Sequence, residues 1–155
     1  MPFFQWCESS LVAQAIRNSQ VAFPLIENFH LFGLTLLLGS LVVLALRQFG
    51  VIYQAQPISE VAAALRPLTR WALALMVLSG ILLFISEAMK CFGNTSFRVK
   101  IIFLFAALLF QFTIFNRTVA SEEKAARAGG KIAAAIALCL WFGVALAGRA
   151  IGFLG

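Results

Sequence analysis

The chain has 155 residues, of which 62% are hydrophobic and 12% are charged. An ordinary soluble domain carries about twice that share of charge, so this composition excludes a soluble globular protein and favours folding in a lipid bilayer. Lys and Arg outnumber Asp and Glu by 12 to 6, but basic residues between apolar runs orient membrane proteins, and the loops lack the aromatic and basic interleaving of nucleic-acid binders. We therefore expect a lipid partner and no nucleic acid.

Five segments follow one another along the chain. Residues 8–19 (ESSLVAQAIRNS) place Leu11, Val12 and Ile16 on one face, which predicts a short helix on the membrane surface. Four apolar runs follow, and each can cross a hydrocarbon core that needs about 20 helical residues. We expect spans at about residues 21–46, 68–88, 97–115 and 132–153. The sequence thus predicts a single all-α domain, 1–155, a four-helix transmembrane bundle with an N-terminal amphipathic surface helix.

The distribution of Lys and Arg between the two sides of the membrane indicates an orientation. Four spans put both termini on one side of the membrane. The loop side carries seven basic residues, Arg47, Arg66, Arg70, Arg117, Lys124, Arg127 and Lys131, and the terminus side carries five, Arg17, Lys90, Arg98, Lys100 and Arg149. This bias favours cytoplasmic loops and external termini. Cys7 and Cys91 then share the oxidising side. Gly93 and Asn94 predict a turn between the second and third spans, and a disulfide between the two cysteines needs the surface helix to fold back over that turn.

Six ionisable residues lie inside the spans or at their ends: Glu27, His30, Glu87, Arg98, Lys100 and Arg149. Because consecutive spans run in opposite directions, all six fall toward the membrane face that carries the termini. Ionisable groups are costly in a bilayer, so those within spans generally face the bundle interior or a wet cavity. At about 100° per residue, Lys100 shares a stripe with Gln111, Glu87 with Gly80, and Arg149 with Ala145. Convergence of these stripes would form a polar pocket.

The residues leave several interpretations of this pocket. We favour a pocket that holds a redox cofactor or a quinone-like ligand. A haem b would use His30, the only histidine, as an axial metal ligand. The other axial position would be filled by Met76 or Met89, left open, or filled by a second His30 across a homodimer. A quinone-like ligand would lie between His30 and a carboxylate that exchanges protons.

Two further classes of protein fit the same residues. In a structural or accessory subunit of a larger membrane complex, the charges are helix-end ion pairs, and the Gly148/Gly152 spacing is a helix contact. In a small oligomeric proton-coupled or anion transporter, Lys100 and Arg149 hold the substrate while Glu27 or Glu87 titrates. No Walker, Rossmann or HExxH pattern occurs, so the sequence assigns no catalytic residue.

Three stretches, FPLIENFHLFGLTLLLGSLVVLALRQFGV, WALALMVLSGILLFISEAMK and NTSFRVK, resemble a widespread bacterial family of small four-helix membrane proteins of unknown function. The resemblance covers most of the chain and implies a bacterial inner-membrane location. The positions that match the family's pattern are Glu27, His30, Glu87, Phe97, Arg98 and Lys100. More distantly, a His in the first helix and a Lys at the start of the third is similar to the layout of four-helix haem proteins such as the bacterial membrane protoporphyrinogen oxidase. The residues around the His differ, so that activity is not carried over.

Overall fold

The structure is a computed structural model that describes the backbone of residues 2–154 and the side chains of residues 3–151. Within these residues the chain is helical and has no strand, which confirms the prediction of an all-α fold. Four helical segments have the length and hydropathy of membrane spans: Ala22–Phe49, Ile58–Ser86, Thr95–Val119 and Ala128–Ile151. The protein is therefore a multi-pass membrane protein built as a four-helix bundle.

Short helices precede, connect and interrupt the spans. In chain order the helices are α1 (Pro2–Ser9), α2 (Leu11–Asn18), α3 (Ala22–Phe49), α4 (Ile58–Ser86), α5 (Ala88–Gly93), α6 (Thr95–Phe110), a π-helical turn (Gln111–Phe115), α7 (Asn116–Val119), α8 (Glu122–Ala126) and α9 (Ala128–Leu154). Helix α3 packs along α4 and α9, and α6 packs along α9. Helices α1 and α2 pack on α5 and α4, at the end of the bundle where α4 finishes.

The N-terminal segment contains two helices where the sequence predicted one helix over residues 8–19. Ser10 separates them with an extended backbone, and its hydroxyl accepts a hydrogen bond from the Ala13 backbone N–H at 3.2 Å. This N-cap starts α2 afresh, because the serine satisfies one of the amide groups that a helix start leaves free. Ala13 and Ile16 are buried, whereas Leu11 and Val12 are exposed. The amphipathic pattern therefore belongs to α2.

The helix of the second span begins at Ile58, ahead of the predicted start at residue 68. Pro57 precedes it in an extended conformation, and the Glu122 carboxylate accepts hydrogen bonds from the Ser59 backbone N–H and hydroxyl at 2.9 and 3.1 Å. Glu122 thus stabilises the first turn from another helix, as a carboxylate does at a helix N-terminus. Pro67 then lies within α4. A segment that the sequence suggested was a loop is the first part of the span helix.

The apolar core occupies the half of the bundle toward the interhelical loops. Helix α3 contributes Leu37, Leu41 and Leu44 to it, and Phe115 and Trp141 are the largest buried side chains. The earlier half of α3, before Leu37, places only Gly33 in a fully buried position. The terminus-side half of α3 therefore contributes little to the buried core, which leaves room for a cavity between the helices.

Candidate functional site

A cavity of about 500 Å³ lies between the helices on the terminus side of the bundle. All four spans and α5 contribute to its wall. The lining residues are Phe23, Glu27, His30, Leu31, Leu34, Gly80, Leu83, Phe84, Glu87, Lys90, Cys91, Phe97, Lys100, Ala145, Gly148, Arg149 and Ile151. Apolar side chains outnumber charged ones in this wall, which is the usual composition of a small-molecule site.

Five of the six ionisable residues singled out in the sequence line this one cavity: Glu27, His30, Glu87, Lys100 and Arg149. The sixth, Arg98, does not. Its side chain is exposed and donates a 3.4 Å hydrogen bond to the Phe92 carbonyl. Since Arg98 and Lys100 are two residues apart on one helix, their side chains point about 200° apart around the axis. Only one of them can face the cavity.

The predicted stripes converge only near the terminus side of the bundle. Gly80 and Leu83 line the cavity together with Glu87, and Ala145 lines it together with Arg149. Deeper members of the same stripes, Met76 and Gln111 among them, are not part of the wall. The Met76 side chain instead packs against Gly33 at the contact between α3 and α4. A Cβ added to Gly33 would lie only 3.1 Å from Met76 Cγ.

The His30 side chain forms a hydrogen bond with Ser79 of α4. Its Nδ1 lies 2.9 Å from the Ser79 hydroxyl oxygen, and that oxygen also lies 2.5 Å from the Leu75 carbonyl. A carbonyl only accepts, so the single hydroxyl proton of Ser79 goes to Leu75 and the hydroxyl accepts from His30. This assigns the proton to Nδ1 and leaves Nε2 with a lone pair, the arrangement in which a histidine accepts a hydrogen bond or binds a metal.

Gly80 permits the close approach of α3 and α4 beside His30. A Cβ at this position would lie 3.2 Å from His30 Cε1 and 3.6 Å from Nδ1. The first distance is tighter than ordinary van der Waals contact, so a larger residue would displace the imidazole or the helix. Ser79 and Gly80 together therefore fix the position of the ring. The sequence did not single out Ser79, because the rotation of α4 against α3 cannot be deduced from either helix alone.

Lys100 projects from the start of α6 toward α9. Asn94 caps this helix by accepting from the Ser96 and Phe97 backbone N–H groups at 2.8 and 3.3 Å. A Cβ on Gly148 would lie 3.5 Å from both Lys100 Cε and Nζ, so the glycine leaves the space that the side chain occupies. The ammonium group forms no hydrogen bond or ion pair with the residues whose side chains are described, and it lies within electrostatic range of His30 and Cys91.

The carboxylates of the cavity do not neutralise Lys100. Glu87 lies 3.7 Å from Lys90, its neighbour one turn away, and both side chains are partly exposed. Glu27 is exposed and forms no ion pair with the described part of the chain, and His30 bonds Ser79 instead of this nearby acid. Glu87 is therefore paired with Lys90 at the end of its own span, and neither Arg98 nor Lys100 pairs with it.

Helices α1 and α2 hold the outer wall of the cavity in place. Arg17 donates to the Ser86 carbonyl at 2.9 Å, where α4 ends, and lies 3.4 Å from the Glu8 carboxylate. Glu8 in turn accepts from the Met89 backbone N–H of α5 at 3.1 Å. We call Glu8 and Arg17 the N-terminal clamp. It satisfies backbone groups that the break between α4 and α5 leaves without helical partners.

An aromatic cluster lies beneath this clamp. Phe84 and Phe97, which both line the cavity, stack with their centroids 5.6 Å apart and their planes inclined by 14°. Phe4 of α1 meets Phe84 at 5.9 Å and Phe92 at 4.9 Å, both in edge-to-face geometry. Such pairs add stability beyond the area that they bury. The first helix therefore supports the aromatic side of the cavity.

Cys7 and Cys91 are both buried and both free. Helix α1 does pack on α5, as the disulfide suggested from the sequence would require, but the two thiols are not joined. Burial raises the pKa of the Cys91 thiol, and the negative charge of Glu87 raises it further. The raised pKa favours the neutral thiol at a position of the cavity wall that lies beside the charged Glu87 and Lys90.

The arrangement can bind a molecule with polar oxygen atoms at one end and an apolar body. Lys100 supplies hydrogen-bond donors, His30 Nε2 supplies an acceptor, and the remaining wall is largely aliphatic and aromatic. Among residues 3–151 no group of three or more His, Cys, Asp or Glu side chains could hold a metal ion.

No curated protein and no solved structure matches the chain. A family model does match it, over residues 3–154, which includes every residue of the cavity wall. This match supports the resemblance to a family of unknown function. It does not bear on the predicted bacterial distribution or on the distant likeness to haem proteins. The chain belongs to a family of unknown function, DUF6644.

Proposed function

We propose that the protein binds a quinone-like ligand, a ring with oxygen substituents and an apolar body, in the terminus-side cavity. The observation that carries the proposal is that Lys100, a hydrogen-bond donor, and His30, whose Nδ1 is bonded to Ser79, both line this cavity. With Nδ1 engaged, Nε2 is the acceptor of the ring. A volume of about 500 Å³ lies within the range of small-molecule sites, roughly 300–1,000 Å³. Both groups come from helices of the membrane-spanning bundle.

The two polar groups suit the two redox states of such a ring. A quinone carbonyl accepts a hydrogen bond, and the Lys100 ammonium donates one. A quinol hydroxyl donates, and His30 Nε2 can accept, because the Nδ1–H group already donates its hydrogen bond to Ser79. The stacked pair Phe84 and Phe97 offers an aromatic wall for the ring. This combination supports an oxygen-substituted ring over a purely apolar lipid.

A haem b is the second candidate, and one observation favours it. A histidine that binds a metal through Nε2 almost always donates its Nδ1 proton to a fixed partner, and His30 does so to Ser79. Met76 and Met89 are not part of the cavity wall, so neither supports the role of second axial ligand. If haem is bound, His30 would hold the iron, and the other axial position would be open or filled by His30 of a second copy.

We further propose a bacterial inner-membrane location with both termini external. Three of the five terminus-side cations, Lys90, Lys100 and Arg149, line the cavity, which leaves two on that side against seven on the loop side. The excess of Lys and Arg then favours cytoplasmic loops more strongly. Reporter fusions after residue 120 and after residue 155 test this. If a reporter that is active only outside the cytoplasm is active when fused after residue 120, the proposed orientation is wrong.

The ligand is tested on the purified protein in mild detergent. Organic extraction and mass analysis should recover a lipid-soluble ring compound at close to one per chain. Lys100→Met should reduce that occupancy by about tenfold or more, since a hydrogen bond from a charged group contributes about 1.5–3 kcal/mol. Arg98→Met is the matched control, because it removes a cation two residues away that does not line the cavity.

The same samples separate the alternatives. An absorption spectrum, oxidised and reduced, that contains a Soret band and loses it in His30→Ala would replace the quinone proposal with haem. Protein that carries neither compound, and that leaves the membrane only together with other subunits, would make the chain an accessory subunit. Ligand occupancy that is equal in Lys100→Met and Arg98→Met would show that the cavity is not the site.

A further inference from the structure

Two buried polar atoms lie in the interior of the bundle, away from the cavity. They are Gln111 Oε1 and Trp141 Nε1, and neither has a hydrogen-bond partner in the part of the chain that the structure describes. Gln111 is 6% exposed and Trp141 is 1% exposed. An unsatisfied donor or acceptor is costly in any protein interior, and within a bilayer no bulk solvent relieves it. These two atoms therefore need an explanation.

The backbone around Gln111 departs from regular α-helix. Residues Gln111–Phe115 form a π-helical turn, in which the Asn116 N–H donates to the Gln111 carbonyl five residues earlier. Such turns are rare and occur frequently at functional sites. The Gln111 amide nitrogen donates to Asn116 Oδ1 at 3.0 Å, so one end of the amide is fixed and the oxygen is the end that lacks a partner.

The geometry of α6 and α9 brings the two atoms toward the same level. The helices are antiparallel, with the Lys100 side chain beside Gly148 and the Phe103 ring beside Gly143. This register continues to the turns that contain Ala107 and Ala137. Side chains on a helix lean toward its N-terminus, over the residue four positions earlier. Gln111 thus leans toward Ala107, and Trp141, on the antiparallel helix, leans toward Ala137.

Both alanines are buried. Because their side chains are small, the longer Gln111 and Trp141 side chains can extend over them toward each other. Indole Nε1–H is only a donor and the amide oxygen is only an acceptor. A water molecule accepts from the first and donates to the second, and buried waters in proteins typically bridge such groups. We propose that a single buried water links Trp141 Nε1 to Gln111 Oε1 across the α6–α9 interface.

Nuclear magnetic resonance of the full chain in detergent, with ¹⁵N-labelled tryptophan, tests this directly. The chain has three tryptophans, and Trp6 and Trp71 are exposed, so Trp→Phe variants assign the three indole signals. We expect the Trp141 indole proton to exchange magnetisation with a long-lived water. Gln111→Leu should abolish that transfer. Thr113→Val, which removes an exposed hydroxyl in the same π-helical turn, should leave it unchanged.

A transfer that is missing from the wild-type protein would overturn the proposal, and so would one that persists in Gln111→Leu. A direct proton contact between the indole and the Gln111 side chain would also overturn it, because the atoms would then bond each other. A second measurement does not depend on the signal. In thermal unfolding, Trp141→Phe and Gln111→Leu combined should lower the midpoint by less than the sum of the two single changes, since each breaks the same bridge. Additive shifts would contradict the bridge.

Discussion

The two halves of the bundle are built on opposite principles. On the loop side, leucines of α3 pack with Phe115 and Trp141 in a continuous apolar core, and charged side chains remain on the loops and helix ends. On the terminus side, Gly80, Gly148 and Ala145 leave space between the helices, and a cavity there is lined by six acidic or basic side chains as well as by apolar ones. The packed core and the proposed ligand site therefore lie in separate halves of the bundle. Substitutions should accordingly affect either stability or ligand binding and leave the other unchanged.

The largest effect should come from the core of the loop-side half. Phe115 is 1% exposed and Phe112, in the same π-helical turn, is 56% exposed. Phe115→Ala should destabilise the protein by about 3–5 kcal/mol, because it removes a packed ring and leaves a cavity. Phe112→Ala should cost far less, because its ring contacts lipid. Thermal unfolding in detergent measures both. Equal effects would mean that the two rings are equally packed.

The next effect should come from Gly130, where the last loop meets α9. A Cβ there would clash with the Ala125 carbonyl and with the Gln48 side chain, whose amide donates to that same carbonyl. Gly130→Ala should destabilise by about 1–3 kcal/mol through this overpacking. Gly129→Ala is the control, since nothing lies within 4 Å of its Cβ position. Neither change should alter ligand occupancy. A loss of ligand in Gly130→Ala would contradict the separation of the two halves.

A smaller and more local effect should follow from breaking the N-terminal clamp. Arg17→Met removes the bond to Ser86 and the ion pair with Glu8. We expect backbone hydrogen exchange in residues 87–93 to accelerate by about tenfold, while the loop-side core exchanges as before, because hydrogen bonds to charged groups contribute about 1.5–3 kcal/mol. Mass spectrometry of deuterated peptides measures this. Gln14→Met, which loses only an exposed bond to Ser9 within the clamp helices, is the control.

Much of this architecture could be predicted from the sequence. Long apolar runs specify four spans, and the alternation of span direction brings Glu27, Glu87 and Arg149 to one end. Helical angle also separates Arg98 from Lys100, so the sequence alone could have excluded Arg98 from the pocket. The location of these charges near one end of each span can be read from each helix separately, so it needs no knowledge of how the helices pack.

Other features depend on how the helices are rotated against one another. The bond between His30 and Ser79 links two helices, and no periodicity within either one predicts it. Lys90 and Cys91 enter the cavity because the segment after the second span folds as α5, whereas Gly93 and Asn94 suggested a turn. The π-helical turn at Gln111 has no sequence signal of the kind that proline provides for a kink. Packing between helices decides all three.

The smallest effect concerns the Cys91 thiol and its dependence on pH. Burial and then Glu87 raise its pKa, although the positive charges of Lys100 and Lys90 act in the opposite direction. Because the thiolate is the reactive form, maleimide labelling of Cys91 should stay slow through the pH range in which an ordinary cysteine becomes reactive. A variant with the other two cysteines replaced by Ser measures the rate between pH 7 and 9, and the same variant denatured in detergent is the control.

The clamp and the cavity predict how that rate should change. Arg17→Met should accelerate Cys91 labelling in the folded protein, because α5 separates more readily from α1 and the thiol becomes accessible. Bound ligand should slow it, since Cys91 belongs to the cavity wall. Phe115→Ala, measured at a temperature where the protein stays folded, should leave it unchanged. If the core substitution accelerates labelling as much as the clamp substitution does, the two halves of the bundle open together, and the terminus-side cavity has no separate mobility.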